Sequence, residues 1–139
     1  MTDNVNHPKH YTSHPSGVEA IEITRWLRGP YSNACKYVMR GWEGLKGDPI
    51  EDLEKALWYL NDAEKFSDDG RSLPTNAYMR WREYWKAEPC DEKKECLSAI
   101  IVAAEVEAWD NPTSVIIQVA KKLIQERISY LQSRPGVAL

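Results

Sequence analysis

Apolar residues recur along the chain every three or four positions, and glycine or proline interrupts each run. That period belongs to helices facing a core, and no stretch of useful length alternates apolar with polar as a half-buried strand would. Ser16-Gly17-Val18-Glu19 reads as a capping box that opens a first helix. It would carry Val18 and Ile21 on one line and Ala20, Ile23 and Leu27 on another, until Gly29-Pro30 stops it. Ser32 then caps a second helix bearing Ala34, Tyr37, Val38 and Gly41 on one side. After a glycine-rich loop, Asp48 reads as N-cap and Pro49 as first residue of a third helix, with Leu53, Ala56, Leu57, Leu60 and Ala63 as its stripe. The polar run Ser67 to Ser72 marks a boundary. Beyond it the pattern predicts an aromatic helix from Thr75 to Lys86 and a long one from Asp91 to about Trp109. Asn111-Pro112 restarts a last helix that runs to Leu131.

The expected fold is therefore all-α, a bundle-like domain of about six helices behind an irregular N-terminal arm. Residues 1–66 hold the arm and three helices, 67–75 a linker, and 76–139 a helical region packed on the first part or forming an oligomer interface. The final helix carries Ile116, Val119 and Leu123 on one side, with Ile117, Ile124 and Ile128 beside them. A stripe that wide exceeds what one neighbouring helix covers, which leads to an expected homo-oligomer, most simply a two-fold dimer, with the last two helices supplying much of the interface and Ile117 and Ile124 as the positions that test it.

Composition narrows the classes. A net charge of −3 argues against general nucleic-acid binding. The first 47 residues nevertheless hold six basic side chains against four acidic ones, so a local anion site is compatible with an acidic chain. No apolar run approaches the roughly 20 residues of a membrane span, and no signal peptide is evident. Cys35, Cys90 and Cys96 form no CxxC pair and read as small buried hydrophobes of a reducing cytoplasm.

Two features carry candidate chemistry. All three histidines, His7, His10 and His14, lie in the proline-broken stretch from Val5 to Gly17. His7 and His10 have a spacing that two metal-bound imidazoles can use, yet Pro8 and Pro15 break the helix and no carboxylate or cysteine completes a set, so no metal is expected. Asn6-His7-Pro8 instead makes a turn, Tyr11 lays its ring on the helices, and His7 or His10 donates to a bound anion. The second feature is a shared face. Asn33, Lys36 and Arg40 align on the second helix, and Asp52, Lys55 and Tyr59 align on the third. If the two helices form a short-looped antiparallel pair, an amide, three cations and a phenol border one cleft suited to a phosphate. The plainer alternative makes these solvated charges, with Asp52 the intrahelical partner of Lys55. On the cleft reading Lys36 and Arg40 are exposed, and their truncation leaves the fold intact.

The runs Asn6-His7-Pro8-Lys9-His10-Tyr11, Gly17-Val18-Glu19-Ala20-Ile21-Glu22, Asn33 to Arg40 and Asp52 to Leu60 resemble, in order and spacing, a phage and prophage family, domain-of-unknown-function family 3310. The resemblance covers residues 5–62 and is shared by a T-odd coliphage nucleotide kinase that lacks a standard phosphate loop. It implies a phage-derived protein of the host bacterial cytoplasm that binds a nucleotide or another phosphate-bearing small molecule, with nucleoside monophosphate kinase as its sharper form. Carried onto this chain, Lys36 and Arg40 would hold phosphates, His7 and His10 would assist, and Asn6, Tyr11, Asn33, Tyr37, Lys55 and Tyr59 would line the substrate, with Mg²⁺ accompanying the nucleotide. The rival is a non-enzymatic phage protein that binds a host protein or sequesters a nucleotide. Arg40-Gly41-Trp42-Glu43-Gly44 departs from the family's Arg-Ala-Gly-Lys-Lys-like run and puts a glutamate where cations often stand.

Other patterns carry less. Glu92-x-x-Glu95 and Glu107-x-x-Asp110 fall on one helix, about 22 Å apart for fifteen residues, and cannot share an ion within one chain. Tyr78, Trp81, Tyr84 and Trp85 read as core or interface aromatics.

Overall fold

The computed structural model describes residues 14–44, 47–65, 73–108 and 114–134. Six helices lie among them and no strand does: α1 (Ala20–Thr24), α2 (Gly29–Glu43), α3 (Pro49–Lys65), α4 (Thr75–Ala87), α5 (Asp91–Ala108) and α6 (Ser114–Ser133). The all-α expectation holds. The arm residues Asn6, His7, His10 and Tyr11 lie outside the described residues, as does most of the expected linker.

Four long helices close a bundle. α2 packs on α3 and on α5, while α6 packs on α5 and on α3, so each has two helical neighbours. One continuous core runs through both halves of the chain, from Leu27, Tyr31 and Val38 through Leu53 and Leu60 to Leu97, Ile100, Ile117 and Ile124. The short α1 lies on α2 and α4.

Several helix ends follow local chemistry. Asp48 Oδ1 accepts from the Ile50 amide at 2.9 Å and Pro49 opens α3, as the sequence predicts. Two ends differ. Glu19, not Ser16, caps α1, exchanging capping-box bonds with Glu22. Ser16 is otherwise engaged: its Oγ receives the Val18 amide at 3.0 Å and lies 2.7 Å from His14 Nδ1. Gly29-Pro30 does not separate two helices but starts α2, leaving Ser32 inside it. Proline is favoured in the first helical turn because the amide it lacks has no helical acceptor there.

The wide stripe of α6 is covered within the chain. Ile117 and Ile124 are fully buried against the bundle, while Val119 is exposed. Flanking by both α3 and α5 explains the width, and Ile117 and Ile124 belong to the interior rather than to an interface between copies. The aromatics of α4 divide in the same way, with Trp81 and Tyr84 buried and Tyr78 and Trp85 exposed. Cys35 and Cys96 are buried; Cys90, contrary to expectation, is only half-buried.

Gly41 sets the closeness of α2 and α3. A Cβ built there would stand 2.6 Å from Leu53 Cδ2 and 3.2 Å from the Pro49 carbonyl oxygen. Leu53 is fully buried. Overpacking of this kind costs about 1–3 kcal/mol, against about 1 kcal/mol that alanine gains over glycine in a helix. Gly41→Ala should thus lower unfolding free energy by up to about 2 kcal/mol in urea titration; a stabilised variant would show that the helices do not approach this closely.

Candidate functional site

α2 and α3 run antiparallel, since Tyr37 meets Tyr59 while Arg40 meets Asp52. The Tyr37 and Tyr59 rings stack nearly parallel, with centroids 5.8 Å apart. Three cations gather on Tyr37: Lys36 Nζ at 4.9 Å from the ring centroid, the Arg40 guanidinium at 5.2 Å and Lys55 Nζ at 5.4 Å. The electron-rich face of a tyrosine attracts each of them, by about 0.5–1 kcal/mol at an exposed site. It does not neutralise their charge. Of the residues expected to share a cleft, the structure brings Lys36, Tyr37, Arg40, Lys55 and Tyr59 together. Asn33 sits one turn earlier on α2 and spends its amide on its own helix, donating to the Gly29 carbonyl at 3.0 Å.

The carboxylates differ from expectation. Lys55 pairs with Glu51 at 3.4 Å, one turn back on its own helix. Asp52 reaches across instead, with Oδ1 3.7 Å from Arg40 Nη2. Its side chain is 5 % exposed and that of Arg40 15 % exposed. Burial pushes the Asp52 carboxyl above its ordinary range, and Arg40 and Lys55 oppose that rise. Asp52 Oδ2 and Arg40 Nε have no hydrogen-bond partner among the described residues. Arg40 is thus no freely removable surface cation, because truncating it would strand a buried carboxylate. The exposed Trp58, edge-on to Tyr59 at 5.1 Å, adds an aromatic wall that sequence reasoning passed over.

A second cluster was not visible in the sequence. Lys93 on α5 is 2 % exposed, and its Nζ donates to Glu88 Oε1 at 2.6 Å and to Glu43 Oε1 at 2.9 Å. Tyr84 OH donates to Glu43 at 3.3 Å, and His14 Nε2 lies 3.1 Å from Glu88 Oε1. The His14 ring stacks on Tyr84 with centroids 3.6 Å apart. One atom each of His14, Glu43 and Glu88 falls within 4.8 Å of the others, a spacing able to hold a cation. The cation they hold is the Lys93 ammonium, which a divalent ion would have to displace. Glu43, the residue that departs from the family-like run, is one of its two anchors.

With this geometry in view, residues 5–61 match the model of the family described as a protein of unknown function, DUF3310. The match takes in the whole Tyr37 cluster, from Lys36 to Tyr59, and ends before Glu88 and Lys93. No curated protein and no solved structure matches the chain.

The Lys93 cluster makes stability depend on acid. Burial lowers the His14 pKa, with Lys93 adding to the effect against Glu88 and Glu43. Burial alone would raise Glu88, but Lys93, the Cys90 amide and His14 outweigh it and hold that carboxyl below its ordinary value. Both folded-state pKa values are depressed, so both groups contribute stability that is full above their unfolded pKa and lost as pH falls. Loss should begin below about pH 6.5, where unfolded histidine gains its proton, and deepen below about pH 4.3 as unfolded glutamate does. Urea midpoints measured from pH 8 to pH 4 should trace both steps, and His14→Gln should flatten the upper one. Lys93→Met should cost about 3–5 kcal/mol at neutral pH by removing the one cation that pairs with the buried Glu88 and with the part-exposed Glu43.

Proposed function

We propose that the α2–α3 face binds a phosphate-bearing small molecule, a nucleotide above all. The observation that carries this reading is the convergence of Lys36, Arg40 and Lys55 on the single ring of Tyr37. Three like charges held so close repel one another, and Asp52 and Glu51 balance only two of them. An arriving phosphate relieves the remaining repulsion. Arg40 can offer planar paired donors, while the two lysines serve as point charges. Tyr59 and the exposed ring of Trp58 supply flat surface beside the cations, which suits a nucleobase. The resemblance to a phage nucleotide kinase favours the same ligand class and extends it to nucleoside monophosphate phosphorylation. Phosphoryl transfer rests mainly on positioning and charge neutralisation, which Lys36, Arg40 and Lys55 would provide around a Mg²⁺-bound donor.

Thermal-shift titration with nucleoside monophosphates, triphosphates and inorganic phosphate, each with and without Mg²⁺, tests the binding. A ligand at 100 times its Kd adds about 2.7 kcal/mol of stability. Lys36→Ala combined with Lys55→Ala should weaken binding at least tenfold and leave the fold intact, since Arg40 remains beside the buried Asp52 and the ion pair of Lys55 is with the exposed Glu51. Arg40 is better probed as Arg40→Lys, which keeps the charge beside Asp52. Nucleotide-induced stabilisation that survives in the double variant, or none with any phosphate compound, would remove this reading. Product formation from a monophosphate and ATP with Mg²⁺ separates a kinase from a protein that only sequesters the nucleotide.

A further inference from the structure

A recess of about 290 Å³ lies between α4 and α5, lined by Tyr78, Trp81, Arg82, Trp85 and Lys86 of α4 and by Ser98 of α5. Helical spacing explains why α4 supplies most of it. Tyr78, Arg82 and Trp85 stand at i, i+4 and i+7 on one face, and Trp81 borders them. Trp81 is buried, whereas Tyr78 is 48 % exposed and Trp85 45 % exposed. The two outer rings belong to residues about 10.5 Å apart along the helix axis, roughly three base steps of 3.4 Å.

Three observations define what the recess accepts. Its outer rings are unused: Tyr78 meets no other ring and no cation among the described residues, and Trp85 meets only Lys94, whose Nζ lies 4.1 Å from the ring centroid. Its cations are free: Arg82 and Lys86 are exposed and have no ion-pair partner among the described residues. Its lining holds no acid. Glu83 follows Arg82 but stands about 100° further around α4. Asp91 and Glu95 neighbour Lys94 on α5 and offset its charge, which leaves Arg82 and Lys86 as the surplus. Free ring faces suit flat groups, and cations beside them suit phosphates. The two features occur together where proteins hold unpaired nucleotides, with bases stacked on aromatic side chains and cations along the backbone. A duplex keeps its bases stacked inward and offers none. A two-fold copy of this chain would bring the same cations and no lining acid to meet them.

We infer that this recess binds a short stretch of single-stranded nucleic acid. Bases stack on Tyr78 and Trp85, while Arg82, Lys86 and Lys94 take the phosphates between them. The net charge of −3 repels nucleic acid at large, so the contact is short and leans on stacking. The site shares no side chain with the Tyr37 cluster and stands independently of it.

Fluorescence anisotropy of a labelled oligothymidylate of about eight residues provides the test, since stacking tolerates any base. With about three phosphates neutralised, the plot of log affinity against log salt should slope near −2. Tyr78→Ala and Trp85→Ala, both made at exposed positions, should each weaken binding at least about fivefold. Arg82→Gln with Lys86→Gln should flatten the slope to about −0.7, the value for one remaining phosphate contact. Lys36→Ala with Lys55→Ala should leave the affinity unchanged, and a hairpin duplex should compete poorly. No anisotropy change up to about 100 µM protein, the weak end of non-specific binding, would overturn the proposal. So would an unchanged affinity in both ring variants, or loss of binding in the lysine variant, which would move the strand to the Tyr37 face. Thymidine monophosphate or polyglutamate competing as well as the oligomer would also overturn it, leaving a single-nucleotide site or a merely basic patch.

Discussion

The ammonium group of Lys93, buried between Glu88 and Glu43, constrains the rest of the molecule. A charge taken out of water costs several kcal/mol unless its partners meet it in good geometry. Here the partners come from three separate parts of the chain: the end of α2, the loop before α5, and, through His14, the segment that leads into α1. Sliding α5 by one turn, about 5.4 Å, would break the Lys93–Glu43 pair, whereas Glu88, five residues before Lys93, would move with it. Buried ion pairs often add little net stability compared with apolar packing. What this one fixes is the register of α5 against α2, and with it the placing of Tyr84.

Most of the fold was legible because it rests on local periodicity. The stripe Leu53, Ala56, Leu60 and Ala63 is buried as its spacing implied, and Asp48-Pro49 marks its helix start without ambiguity. The errors arose where one residue type has two uses. Ser16 can cap a helix or close a turn, and the nearby His14 ring takes it for the turn. Gly-Pro can end a helix or begin one, and at Gly29-Pro30 it begins α2. The wide apolar face of α6 was read correctly as needing more than one neighbour. Its sequence could not say that the second neighbour belongs to the same chain, because contacts between α3 and α6 span more than fifty residues, as in Glu64 with Gln118 and Lys121.

The same limit governs the sites. Side chains three or four apart on one helix share a face, so Lys36 with Arg40 and Lys55 with Tyr59 could be grouped from spacing alone. Spacing cannot choose a partner across the helix pair: it offers Lys55 to Asp52 on the plainer alternative, and the structure gives Asp52 to Arg40. The difference has a chemical consequence, since without that partner Arg40 reads as a free surface cation. The Lys93 cluster joins residues 50 and 74 positions apart, and nothing local announces it. Lysine on an otherwise amphipathic helix reads as solvent-facing; only the tertiary structure shows it turned inward.

Glu43 links these two levels. The resemblance implies cations near this position, where this chain has an acid. Read within residues 5–61 alone, that change weakens a basic face. In the folded chain it does something else: Glu43 accepts from Lys93 at 2.9 Å and from Tyr84 at 3.3 Å, both contributed by the part of the chain that the family match does not reach. A lysine at position 43 would set two ammonium groups close together, where like charges about 4 Å apart repel by roughly 4 kcal/mol even at an effective dielectric constant of 20. The acid at 43 therefore suits the lysine at 93, which Glu88 also holds. On this argument the departure in the α2 run reports how the C-terminal helices are seated, and the cations at Lys36, Arg40 and Lys55, which point to another face of the pair, are untouched by it.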